Sequence, residues 1–115
     1  MPRPRKQKMI CAMPRCSAFG PQGSSGGGEA VILSVEEFET VRLIDHEQLD
    51  QAQCAEIMGV ARSTVQRLYT DARYKIAQSL VNGQVLRISG GDYTLCENRS
   101  PDMCRGCGRR RRGHS

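Results

Sequence analysis

In this chain of 115 residues, the stretch Gln51–Thr70, QAQCAEIMGVARSTVQRLYT, leaves the fewest structural choices. Ala55, Gly59 and Val65 fall four and six residues apart, among the apolar residues Ile57, Met58, Val60 and Leu68. That spacing suits two short helices meeting across a tight turn, a helix-turn-helix. Ala55 must be small where the second helix crosses close to the first, and Gly59 can take the positive φ of a sharp turn. Val65 and Leu68 then face the preceding helix. The outward side of the second helix carries Arg62, Ser63, Thr64, Gln66, Arg67 and Thr70, with Arg73 one turn further on. All are side chains able to hydrogen-bond to base edges or phosphates in a major groove.

Around this unit the elements follow from periodicity and capping. Ala30–Leu33 is an apolar run of strand type, and Ser34 with Glu37 three residues later forms a capping-box pattern. Val35, Phe38, Val41 and Ile44 recur every three residues, which predicts a helix ending near His46 with one buried face and an acidic exposed face. Asp50 caps the second helix, expected to run to Met58, and the third starts at Arg62 or Ser63. The apolar set Val65, Leu68, Tyr69, Ala72, Ile76 and Leu80 carries the third helix to about Val81, with a stop at Asn82-Gly83. Its last turns are expected to pack on the first helix or on a second subunit. Gln84–Cys96 places two β-prone runs on either side of Gly90-Gly91 and reads as a hairpin. A lone hairpin is marginal, so it should pair with Ala30–Leu33, with the 9–13 segment, or with its copy in a dimer.

A chain of this length holds one small domain and tails rather than two independent cores. With two Phe, three Tyr and no Trp, the core must come from Val, Ile, Leu and Ala. The net charge of +5 is unevenly divided. Residues 1–16 carry +5, residues 29–58 carry −7, residues 62–76 carry +3 and residues 97–115 carry +4. Positive charge on two tails and on the outward helix fits a polyanion partner, with the acidic first helix turned away from it. Neither a transmembrane run nor a signal-peptide core is present, so a cytoplasmic protein without membrane contact is expected.

Residues 1–28 are expected to be a basic arm and Gly-rich linker, with residues 97–115 a Cys/Arg-rich tail. Arg3, Arg5 and Lys6 either solubilise the chain or lie along phosphates or in a minor groove. Cys104 and Cys107 form a C-x-x-C pair, eight residues after Cys96. Three readings stand open: a zinc or iron–sulfur site with Cys11, Cys16 or His114 as fourth ligand, disordered thiols, or a redox switch. No enzyme is expected. His46 sits among acids without a nucleophile at credible spacing, and the Gly-rich run lacks the Lys-Ser/Thr of a phosphate-binding loop.

From Ser34 to Val81 the chain is similar to the promoter-reading C-terminal region of sigma factors, above all in AEIMGVARSTVQRLYTDARYKIAQSL. Four pieces together go further: MPRPRK, ICAMP, SVEEFETVRLIDHEQLDQAQCAEIMGVARSTVQRLYTDARYKIAQSLVNG and RISGGDYTLC. They resemble the small prokaryotic family known as domain of unknown function 134, over about residues 1–96. The resemblance implies a sigma-like helix-turn-helix and a transcriptional role, and supplies no ligand or target gene. The fold expected is thus mainly α with a small β element: a three-helix sigma-like domain plus C-terminal β-hairpin over 29–96, between flexible basic tails. The function expected is a sequence-specific DNA-binding transcriptional regulator, a homodimer on double-stranded DNA that requires no cofactor. The alternative is a metal- or iron–sulfur-binding assembly or sensor protein whose helix-turn-helix serves protein contact.

Overall fold

The first two helices each start where a short polar side chain accepts from the backbone amide three residues on. In the computed structural model, which describes residues 8–23, 28–91 and 93–95, the Glu37 amide donates to Ser34 Oγ at 3.1 Å. In return the Ser34 amide donates to Glu37 Oε1 at 2.9 Å. Asp50 and Gln53 repeat the exchange at 2.7 and 3.0 Å. Such boxes satisfy amides that a helix start leaves without partners. They open α1 (Val35–Val41) and α2 (Gln51–Met58). α1 continues as a π-helical turn, Arg42–His46, in which the Glu47 amide donates to the Arg42 carbonyl at 2.8 Å. Helical backbone therefore ends at His46, where the periodicity puts it. α3 spans Arg62–Asn82 and stops at Gly83, again as expected.

Gly59 closes α2 at φ 70°, and the Gly59 and Val60 amides donate back to the Glu56 and Ala55 carbonyls at 3.3 and 3.0 Å. A Cβ added at position 59 would meet only Met9 Cγ, 3.9 Å away. The demand for glycine is thus conformational rather than steric. Gly59→Ala is expected to cost about 1–2 kcal/mol, the left-handed penalty of an L-residue. Urea denaturation checks this, and a larger loss would mean crowding that the geometry does not show.

Small sheets cover the helices. β1 (Lys8–Ile10) pairs in parallel with β5 (Tyr93–Leu95), and β4 (Leu86–Ile88) lies between β2 (Ala18–Phe19) and β3 (Val31–Leu33). Ile10 is opposite Leu95, while Leu33 is opposite Ile88 in a second parallel pair. The predicted hairpin over Gly90-Gly91 does not form, because β4 and β5 belong to different sheets. β3 and β4 are joined through all three helices, the long crossover that parallel neighbours require. After β4 the chain is held at the β3–α1 corner: the Ser89 amide donates to the Leu33 carbonyl at 2.9 Å, and the Val35 amide donates to the Gly90 carbonyl at 3.0 Å. Gly91, at φ 112°, passes so close to the Glu36 carboxylate that a Cβ would overlap it. Two of the three partners expected for this segment are real, each taken by one strand. Two strands also fall within 1–28, the stretch expected to be arm and linker, and Ile10 is fully buried in the core.

The core joins Met58, Val65 and Ala72, each fully buried, with Leu43, Leu33 and Ile88 beneath the sheets. Ala55 and Leu68 are buried at the α2–α3 contact, as their spacing predicts. The exposed acidic face expected of the first helix is absent. Glu36, Glu37 and Glu39 retain only 6, 6 and 0% of their exposure. β1 packs on one side of α1 and α3 on another, and each brings a lysine: Lys8 Nζ lies 2.8 Å from Glu36, and Lys75 Nζ lies 2.8 Å from Glu37. Glu39 is held by Arg42 through two 2.8 Å hydrogen bonds, and accepts a third from the Cys11 amide at 3.1 Å. Burial disfavours the Arg42 charge, but the Glu39 carboxylate outweighs it and holds the guanidinium pKa above its ordinary value.

Candidate nucleic-acid interface

α2 and α3 meet across Met58–Ala61 as a helix–turn–helix, and that turn decides which residues of α3 face out. Val65, Leu68 and Ala72 point inward at steps of three and four. Arg62, Ser63, Gln66, Arg67, Thr70 and Arg73 are consequently exposed, and Thr64 is half-buried. All seven helical residues expected as DNA contacts therefore lie on one helix between Arg62 and Arg73, six of them open to solvent. The first amides of α3 have no side-chain cap, since Ala61 occupies the N-cap. Helix-start amides of this kind donate well to anions.

The electrostatics separate two kinds of cation. Lys8, Arg42 and Lys75 are engaged with acids inside the fold. Arg62 and Arg67 form no ion pair among the described residues. Arg73 is held differently: its guanidinium lies 5.5 Å from the Tyr69 ring centroid and donates to Tyr69 Oη at 3.2 Å. Tyr69 Oη in turn donates to Asp45 Oδ1 at 2.7 Å. Partial burial, then the Asp45 hydrogen bond, raise the Tyr69 pKa, so the phenol keeps its proton and remains a donor. This chain of contacts ties the π-helical turn to α3 and holds the Arg73 guanidinium beside the Tyr69 ring. Spacing alone puts Tyr69 in the apolar set; no sequence signal links it to Asp45.

Arg3, Arg5 and Lys6, and the proposed ligands Cys96, Cys104 and Cys107, lie outside the described residues. Among the described residues, no cluster of three or more His, Cys, Asp or Glu side chains is placed to hold a metal. Cys16 is exposed, its Sγ donating to the Ala18 carbonyl at 3.0 Å, and Cys11 is half-buried. Cys54 is fully buried with its Sγ 3.7 Å from Met58 Sδ, and burial pushes its thiol up to about 12. It is a small core residue and no nucleophile at neutral pH. No helix among the described residues is long and apolar enough to cross a membrane.

Fold and surface thus define a mainly α protein with a helix–turn–helix and a small β component, whose α3 presents two exposed arginines, Arg62 and Arg67, that form no ion pair among the described residues. The family model described as "Protein of unknown function DUF134" matches residues 1–96, and the chain belongs to that family. Among its relatives is a UPF0251 protein of Desulfitobacterium hafniense, 48% identical over 97% of this chain and 90% of the relative. Others are UPF0251 proteins of Caldanaerobacter subterraneus subsp. tengcongensis, 46% identical over 83% of this chain and 81% of the relative, and of Pelotomaculum thermopropionicum, 40% identical over 98% and 85%. No solved structure matches.

Proposed function

We propose that this protein binds double-stranded DNA in a sequence-specific way and regulates transcription, with the N-terminal half of α3 in the major groove. The observation that carries this reading is the contrast between cations. Lys8, Arg42 and Lys75 are matched to glutamates, whereas Arg62 and Arg67 project from the first turns of α3 and form no ion pair among the described residues. Arg62 and Arg67 supply bidentate donors for guanine, Gln66 suits adenine, and Ser63, Thr64 and Thr70 complete the hydrogen-bonding edge. Arg73, braced on Tyr69, contacts the backbone. The basic arm with Arg3, Arg5 and Lys6 adds phosphate contacts. No cofactor or catalytic step is required, and the site of action is the cytoplasm.

Fluorescence anisotropy with a random-sequence duplex tests the electrostatic part. Affinity is expected to fall steeply with salt, with a log–log slope of about −0.9 for each phosphate neutralised. A slope near zero would remove the reading.

A further inference from the structure

The outward face of α3 changes chemistry halfway along. Gln66, Thr70, Arg73 and Ala77 follow one another at helical steps of three and four, and Leu80 and Val81 lie three and four residues beyond Ala77, so all six share that face. Up to Arg73 it is polar and cationic. Beyond it Leu80 and Val81 are 78% and 83% exposed, and Tyr74 is 69% exposed. Large apolar side chains in solvent are individually ordinary, but a contiguous group beside a hollow marks a contact surface. The hollow is present: a groove of about 270 Å³ lies between the last turns of α3 and the β2–β4 edge. Ile76 and Leu80 line one wall, and Phe19, Pro21 and Leu86 line the other.

We infer that this patch docks a second copy of the chain, the C-terminal halves of α3 crossing about a two-fold axis. Knob and hole occur in one patch, as a two-fold interface requires: Leu80 and Val81 protrude beside the groove that would receive their counterparts. Charge agrees. Residues 76–86 contain no ionisable side chain, so two chains of net charge +5 can meet there without opposing like charges. An acidic or basic partner protein would find nothing to pair with on this span.

The length of α3 gives a third reason, which rests on the proposed DNA reading. At 1.5 Å per residue, Arg67 and Leu80 are roughly 20 Å apart along the axis. Two helices crossing at their C-terminal ends can hold their reading ends up to roughly 40 Å apart, a reach that includes the roughly 34 Å of one turn of DNA. The same helix would read DNA with one half and set the half-site spacing with the other.

Sedimentation velocity of the full chain without DNA tests the interface independently of DNA reading. The wild type is expected to move from monomer to dimer as concentration rises. Leu80→Glu and, separately, Val81→Glu should raise the dimer dissociation constant by about thirtyfold or more. At concentrations where all three are monomeric their melting temperatures should match, because both side chains are exposed, whereas only the wild type should melt higher as concentration rises. A wild type that stays monomeric at every concentration overturns the inference. So do glutamate variants that keep their fold and dimerise as the wild type does. A chain that dimerises through this patch but selects no DNA supports the interface and removes only the DNA reading.

Discussion

Replacing Glu39 with alanine is expected to destabilise the protein by about 3 kcal/mol, the low end of the cost of breaking a buried ion pair. Glu39 is fully buried and accepts three hydrogen bonds, two from Arg42 and one from the Cys11 amide. Alanine leaves the guanidinium and the amide facing a cavity. The low end applies because the Arg42 side chain keeps 19% of its exposure and a second carboxylate, Glu47, lies 3.8 Å from it. Glu39→Gln should cost less, since an amide oxygen still accepts from Cys11. The double variant Glu39→Met/Arg42→Met should recover much of the loss, because the penalty lies in the orphaned charge rather than in the absent pair. Thermal denaturation reads all three, with a fall of more than about 10 °C expected for Glu39→Ala. A loss below about 1 kcal/mol would show that Arg42 finds solvent as readily as it finds Glu39.

The double variant Arg62→Ala/Arg67→Ala is expected to lose about 2–6 kcal/mol of affinity for a selected site, from about 1–3 kcal/mol for each base-reading arginine. Both side chains are exposed and unpaired among the described residues, so the melting temperature should not change. Arg87→Ala provides the control. That arginine is also exposed, but it sits on β4, whose Leu86 packs beside the C-terminal half of α3. It removes one charge and leaves the outward face of α3 unchanged. Its effect should be small and equal for all sequences, whereas the α3 variant should flatten discrimination between the selected site and random DNA. Equal effects from the two would reduce α3 to a general electrostatic contact.

The parts of this fold that were legible in sequence are those set by neighbours along the chain. Ser34 with Glu37, Asp50 as the cap of the second helix, and Gly59 between two apolar helices are local arrangements, and the structure has each in place. The outward residues of α3 follow from the same periodicity that buries Val65, Leu68 and Ala72. Distant pairings were not legible. Glu37 reads as a surface acid until Lys75, 38 residues away, is brought to it. Gly90-Gly91 signals a reversal of some kind, but nothing local tells whether the flanking strands pair with each other. They join β3 and β1 instead, because the helices between β3 and β4 bring those strands side by side. Leu80 shows the matching limit at the surface: helical spacing marks it as apolar without saying whether the chain itself covers it.

Selection of duplexes from a random-sequence pool by the full-length chain tests sequence-specific reading by α3 most directly. The expected result is one enriched motif, an inverted repeat with half-sites about 34 Å apart, recovered by the wild type and lost by Arg62→Ala/Arg67→Ala. A wild-type pool no different from the starting library, or a motif that the double variant recovers equally well, would contradict it.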